Sequence, residues 1–137
     1  FHHVDRLDRE TALPILRRAY ELAPDDGTSY ARSEAARHLG QIQQEMGEPA
    51  AALPTLEESA ALREGSGYEI FVSTGIHAVA SAKLDAGDLD GASADLARAR
   101  AEAEGYEGAL TLAMIASTEA SLQMARLAPG VWCRSHP

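Results

Sequence analysis

The chain repeats itself every 40 residues, and this period limits its folds more than any other feature. Three segments align without gaps: Ala12-Leu13-Pro14-Ile15-Leu16-Arg17-Arg18-Ala19, Ala52-Leu53-Pro54-Thr55-Leu56-Glu57-Glu58-Ser59 and Ala92-Ser93-Ala94-Asp95-Leu96-Ala97-Arg98-Ala99. Each carries a small residue, a leucine four positions on, and a second small residue three beyond that. On a helix these fall on one stripe. The small residues let a neighbouring helix approach closely, and the leucine fills the space between. A turn precedes two of the copies at the same offset, Gly47-Glu48-Pro49 and Gly87-Asp88-Leu89. Gly27, Gly65, Gly67 and Gly105 punctuate the other junctions, as helix stops should.

Between the aligned segments lie further helical patterns. Tyr30, Ala35, Ala36, Leu39, Ile42 and Met46 share one phase, then Phe71, Val72, Ile76, Val79 and Leu84, then Leu110, Met114, Ala120 and Met124. The spacing predicts six helices, near 9–23, 29–46, 50–64, 68–86, 89–104 and 107–127. Short loops make neighbouring helices antiparallel, and a fixed period stacks the pairs. The expected fold is an all-α solenoid over residues 1–127, with an irregular tail at 128–137. Pro14 and Pro54 share a repeat position and are expected early in their helices, where few backbone donors are lost.

Composition narrows the function. At 137 residues the chain is one domain, large enough to bury a core. Ala, Leu, Arg and Glu favour helix, and β-branched and aromatic residues are scarce. The net charge of −9 disfavours nucleic acid and anionic membranes, whose phosphates need clustered cations. One cysteine excludes a disulfide framework and a cysteine-rich zinc site. No apolar run reaches membrane-span length. The start, Phe1-His2-His3-Val4-Asp5-Arg6, has no basic stretch followed by an apolar one. A cytoplasmic location is expected.

Ala36, Leu39, Gly40, Gly47, Ala52, Leu56 and Ser59 resemble the tetratricopeptide repeat, as do Ile76, Val79, Ala80, Gly87, Ala92, Leu96 and Ala99. The second copy departs from the pattern where Ala80 replaces the first glycine. The family's usual period is about 34 residues. A 40-residue period is similar to the variant arrays of bacterial signal-transducing ATPase regulators, including maltose-activator-like transcription regulators. The resemblance covers about residues 7–127 and implies helix–turn–helix units whose first helices line a concave groove. It implies nothing specific about chemistry, because one fold hosts many functions.

The residues themselves carry little catalytic chemistry. No phosphate loop, dinucleotide fingerprint, HExxH string or nucleophile elbow is present. Asp85-Ala86-Gly87-Asp88-Leu89-Asp90-Gly91 looks like a calcium loop, but the required acids are alanine at Ala86 and Ala97. A polar turn with Asp88 or Asp90 as helix cap explains it better. His2 and His3 are adjacent and diverge on a helix, and His38 has no ligand at chelating spacing. His77 falls on the groove side without a partner acid or nucleophile. Cys133 reads as a spectator thiol. Glu57, Glu58, Glu64, Glu102 and Glu104 read as a solvated convex face with Arg98 and Arg100 interspersed. No metal, cofactor or catalytic residue is expected.

The groove implied by the resemblance is the candidate binding face. Mapped onto this chain it carries Glu34, Arg37, Gln41, Gln44 and Glu45, then Thr74, His77, Ser81 and Asp85, then Met114, Ser117, Ser121 and Met124. Its polar groups can pair with a peptide backbone or carboxylate, and its methionines give adaptable apolar contact. The expectation is a non-enzymatic module binding a protein or peptide segment, part of a bacterial transcriptional or signalling regulator. Alternatives are an array sensing a small effector and an accessory or carrier-binding domain of an enzyme. The 40-residue offset aligns Phe1–Arg6 with Gln41–Met46, the end of a groove-lining helix. The last helix is expected to be too apolar for one interface, covered by Val131 and Trp132, by a missing segment or, the favoured outcome, by a two-fold homodimer.

Overall fold

The computed structural model describes residues 6–24, 30–65, 71–105 and 108–127. These hold six α-helices: α1 (Arg6–Leu22), α2 (Tyr30–Glu45), α3 (Pro49–Gly65), α4 (Val72–Asp85), α5 (Leu89–Gly105) and α6 (Ala109–Leu127). Among the described residues there is no strand. The chain is all-α. The 128–137 tail, with Val131 and Trp132, lies outside the described residues.

Two turns repeat the sequence period in three dimensions. Gly47 and Gly87 take φ of 79° and 88°, the left-handed region. At the second, the Gly87 N–H donates to Leu84 O at 3.0 Å and the Asp88 N–H to Lys83 O at 2.9 Å. At the first, the Gly47 N–H reaches Gln44 O at 3.0 Å and the Glu48 N–H reaches Gln43 O at 2.9 Å. This pair of bonds satisfies the carbonyls that a helix end leaves open. Asp88 then caps α5, its Oδ1 accepting the Gly91 N–H at 2.9 Å, while Pro49 opens α3, where no donor is needed.

The same repeat position holds Leu7, the second residue of α1, and Leu127, the last residue of α6. A leucine in the left-handed region costs about 1–2 kcal/mol, which disfavours a glycine-type turn at either position. This changes the expected start of the chain. Arg6 begins α1 rather than ending a groove-lining helix, and residues 1–5 lie outside the described residues. Pro14 consequently falls in the middle of α1, and Pro54 beyond the first turn of α3. Both are exposed, so a carbonyl that loses its amide partner faces water.

The core is built where the stripes meet. Val72, Ile76, Ala80 and Leu84 of α4 interlock with Ala92, Leu96, Ala99 and Ala103 of α5, and α6 adds Ile115, Leu122 and Ala125. Ala52 and Leu56 of α3 pack with Val79 and Ala82 of α4. Each helix packs on its sequence neighbours, and α2, α4 and α6 also touch in that order. Of the helix glycines that face a neighbouring helix, Gly40 is approached most closely: an added Cβ would sit 2.6 Å from Cγ and Cδ2 of Leu56. No described helix is long and apolar enough to cross a membrane.

Leu56 is 1% exposed, so Leu56→Ala should cost about 2–5 kcal/mol in urea denaturation, the range for truncating a buried leucine. Gly40→Ala should cost about 1–3 kcal/mol by overpacking, despite the better helix propensity of alanine. A near-zero cost for Leu56→Ala would remove it from the core.

Candidate functional site

Between α2, α4 and α6 lies a groove of about 340 Å³. The helix phase that buries Ala36, Leu39 and Gly40 against α3 leaves the adjacent side of α2 open. Glu34, Arg37, Gln41 and Gln44 line the groove from that side. Thr74, His77 and Ser81 line it from α4, and Met114 from α6. These are eight of the residues the sequence placed there. Asp85 lies at its edge, accepting from Gln44 Nε2 at 2.6 Å, while Gln44 also donates to Ser81 Oγ at 3.1 Å. Ser117 is exposed and does not line it, nor do Ser121 and Met124. Glu45 is turned away, to Arg9 of α1 at 3.2 Å.

Its floor is a residue that sequence reasoning passed over. Arg63 of α3 is 2% exposed and reaches under the groove. One guanidinium nitrogen donates to Glu34 Oε1; the other donates to Thr74 Oγ1 at 2.7 Å and to Phe71 O at 3.0 Å. The guanidinium carbon lies 5.7 Å from the centre of the Phe71 ring. That ring meets Tyr30 at 5.7 Å, and both aromatics line the groove. Gly75 makes room for the arginine stem, since a Cβ there would sit 3.1 Å from Arg63 Cδ. The signal was present: Arg63 extends the apolar stripe Ala52, Leu56, Ser59, where the other copies have Ala23 and Ala103.

The charges in the groove are mutually held. Glu34 also accepts from Arg37 Nη2 at 3.3 Å, and Arg37 Nη1 donates to Gln41 Oε1 at 3.2 Å. Burial pushes the Glu34 carboxyl up, but Arg37 and Arg63 outweigh it and hold it below the usual carboxylate range. Burial lowers His77. Its Nε2 lies 2.8 Å from Thr118 Oγ1, whose own hydroxyl donates to Met114 O at 3.2 Å. His77 thereby ties α4 to α6 through Thr118. The side chain is half-buried, and His77→Ala is expected to weaken the fold.

The outer face needs one correction. Glu57 and Glu64 are exposed, and Glu64 pairs with Arg98. Glu58 is half-buried instead. It accepts from Arg32 Nε at 2.6 Å and from the Tyr20 hydroxyl, and the Arg32 guanidinium stacks 4.1 Å over the Tyr20 ring. Arg32 also donates to Tyr20 O at 3.4 Å. This knot joins α1, α2 and α3, and it holds Glu58 below its ordinary pKa despite burial, through Tyr20 and Arg32. Lys83 and Asp95 pair at 2.7 Å across α4 and α5. Among the described residues no cluster of His, Cys, Asp and Glu is arranged to hold a metal. No family model, curated protein or solved structure matches the chain.

Stability should fall in two steps on acidification. His77 and His38 are both lowered in the fold from 6.5, so the unfolded chain takes protons first and stability drops as pH falls below about 6.5. Glu34 and Glu58 are lowered from 4.5, so a second loss follows below about that pH. Melting temperature against pH for the protein and His77→Gln checks the upper step, which should shrink in the variant. Arg63→Ala should cost about 2–4 kcal/mol, because it strips a half-buried carboxylate of its partner and leaves a void.

Proposed function

We propose that this chain is a non-enzymatic interaction module, a tetratricopeptide-like α-solenoid that binds an extended or helical protein segment in the groove of α2, α4 and α6. The observation that carries this reading is the groove's lining. Helices α2 and α4 present hydrogen-bonding side chains along one cleft above Arg63, with the Tyr30–Phe71 pair and Met114 of α6 giving apolar purchase. Such a lining suits a peptide, whose backbone needs polar partners and whose side chains need apolar ones. Support for the solenoid comes from the repeated turns at Gly47 and Gly87 and from contact between successive even-numbered helices. Resemblance to bacterial regulator arrays makes a transcriptional or signalling regulator the natural setting, in the cytoplasm.

The volume of about 340 Å³ favours a second reading, an effector-sensing array. It falls at the lower end of the range for small-molecule pockets. A bound effector would join α2 to α4 and α6 and so bias the relation of successive helix pairs. A peptide remains the better fit, because the cleft is open along its length and mixed in polarity.

Selection of displayed random peptides on the purified chain tests the proposal. Selected peptides should lose about tenfold or more in affinity with Arg37→Ala or Gln41→Ala, about 1.4 kcal/mol, at little change in melting temperature. Glu57→Ala should leave binding unchanged. Peptides sensitive to Glu57 and indifferent to Arg37 would move the binding face to the other side. The chain should not hydrolyse nucleotides, esters or peptides, and turnover that vanishes with His77→Gln would contradict the non-enzymatic reading.

A further inference from the structure

All large apolar side chains exposed among the described residues belong to two helices: Ile15 and Leu22 on α1, and Leu110, Met114, Met124 and Leu127 on α6. Helices α2 to α5 expose none. α1 packs chiefly on α2, and α6 on α5 and α4.

The two faces have an internal template. Across α4 and α5, the row Val72, Ile76, Ala80, Leu84 receives the stripe Ala92, Leu96, Ala99, Ala103, and all are buried. Advanced by the 40-residue period, the receiving row becomes Leu112, Ala116, Ala120 and Met124 on α6. Ala116, Ala120 and Met124 are exposed there, although their counterparts are buried. The stripe of α1 is Ala12, Leu16, Ala19 and Ala23, residue for residue that of α5. Ala19 is exposed, whereas Ala99 is 0% exposed. So α6 presents an uncovered α4-type row and α1 a half-covered α5-type stripe.

We propose that a second copy of this chain docks its α1 on α6, repeating the α4–α5 interface between molecules. The rim of the template supports the match. Lys83 and Asp95 pair across it, and their counterparts are Gln123 on α6 and Ile15 on α1. An ion pair inside the molecule is thus replaced by an isoleucine lying on an amide stem, which gives the 65% exposed Ile15 a contact. Met124 stands where Leu84 fills the template. A two-fold contact between α6 helices, the expectation from sequence, would leave Ile15 and Ala19 of α1 uncovered; head-to-tail docking brings them against the α6 row that holds Ala120 and Met124. Because each copy carries one face of each kind, association continues past the dimer. The groove is not consumed, so this proposal stands apart from the function proposed above.

Sedimentation of the full chain tests it with two variants, Ala19→Glu and Ala120→Glu. Both positions are exposed and both variants keep good helix formers, so each should melt as the unaltered protein does. The unaltered chain should show an average mass climbing past twice 14.6 kDa as concentration rises. Each variant alone should be monomeric. Their equimolar mixture should form a one-to-one dimer and stop, since one retains the α6 face and the other the α1 face. A monomer at every concentration overturns the proposal. So does an Ala19→Glu variant that dimerises as well as the unaltered chain, which would mark a two-fold α6 contact. Should either variant unfold, Ile15→Glu and Met124→Glu make the same pair at exposed side chains.

Discussion

The structure depends on how closely one helix can approach the next. Leu56 of α3 lies against the bare backbone of Gly40, and Leu96 of α5 sits in the core with Ala80. Small residues on both partners leave no room for rotation about either axis. Fixing that rotation decides which side of α2 and α4 is buried and which is left facing away. Glu34, Arg37 and Gln41 line the cleft because Ala36, Leu39 and Gly40 are committed to packing. The site is therefore a consequence of core geometry, one helical phase removed from it.

Electrostatics then shapes the cleft from below. Burial alone would raise the Glu34 carboxyl; two arginines from different helices hold it below its ordinary value. Arg63 is the deeper of the two and is tied to the α4 N-terminal region through Phe71 and Thr74. It positions the carboxylate, and the carboxylate in turn orients Arg37, the more accessible cation. A chain of net charge −9 can thus present an ordered cation in this groove without a basic patch.

The sequence was informative where local physics decides the outcome. Gly47 and Gly87 mark turns because only glycine takes that backbone cheaply. The stripe leucines were legible because helical spacing names a face. Periodicity names no depth and no partner, however. It could not show that Arg63 dives beneath the groove, since that needs Phe71 and Thr74 from the next helix. It also placed Glu58 beside Glu57 on an open face, when Arg32 and Tyr20 from two other helices enclose it. Ser117 and Asp85 share the groove phase but fall beside it, because each helix offers only part of its length to the cleft.

The claim that close small-residue packing sets the fold is tested most directly by a double-mutant cycle on Gly40 and Leu56, measured by urea denaturation. In the unaltered protein a methyl at position 40 collides with Leu56; once Leu56→Ala has opened a void, the same methyl keeps only an ordinary contact, 3.4 Å from Ala52 O. Gly40→Ala should therefore change sign, destabilising the protein by itself and restoring about 1 kcal/mol to Leu56→Ala through filled volume and helix propensity. Costs that simply add, with Gly40→Ala equally harmful in both backgrounds, would mean that Gly40 and Leu56 do not face each other and that the helix packing described above is wrong.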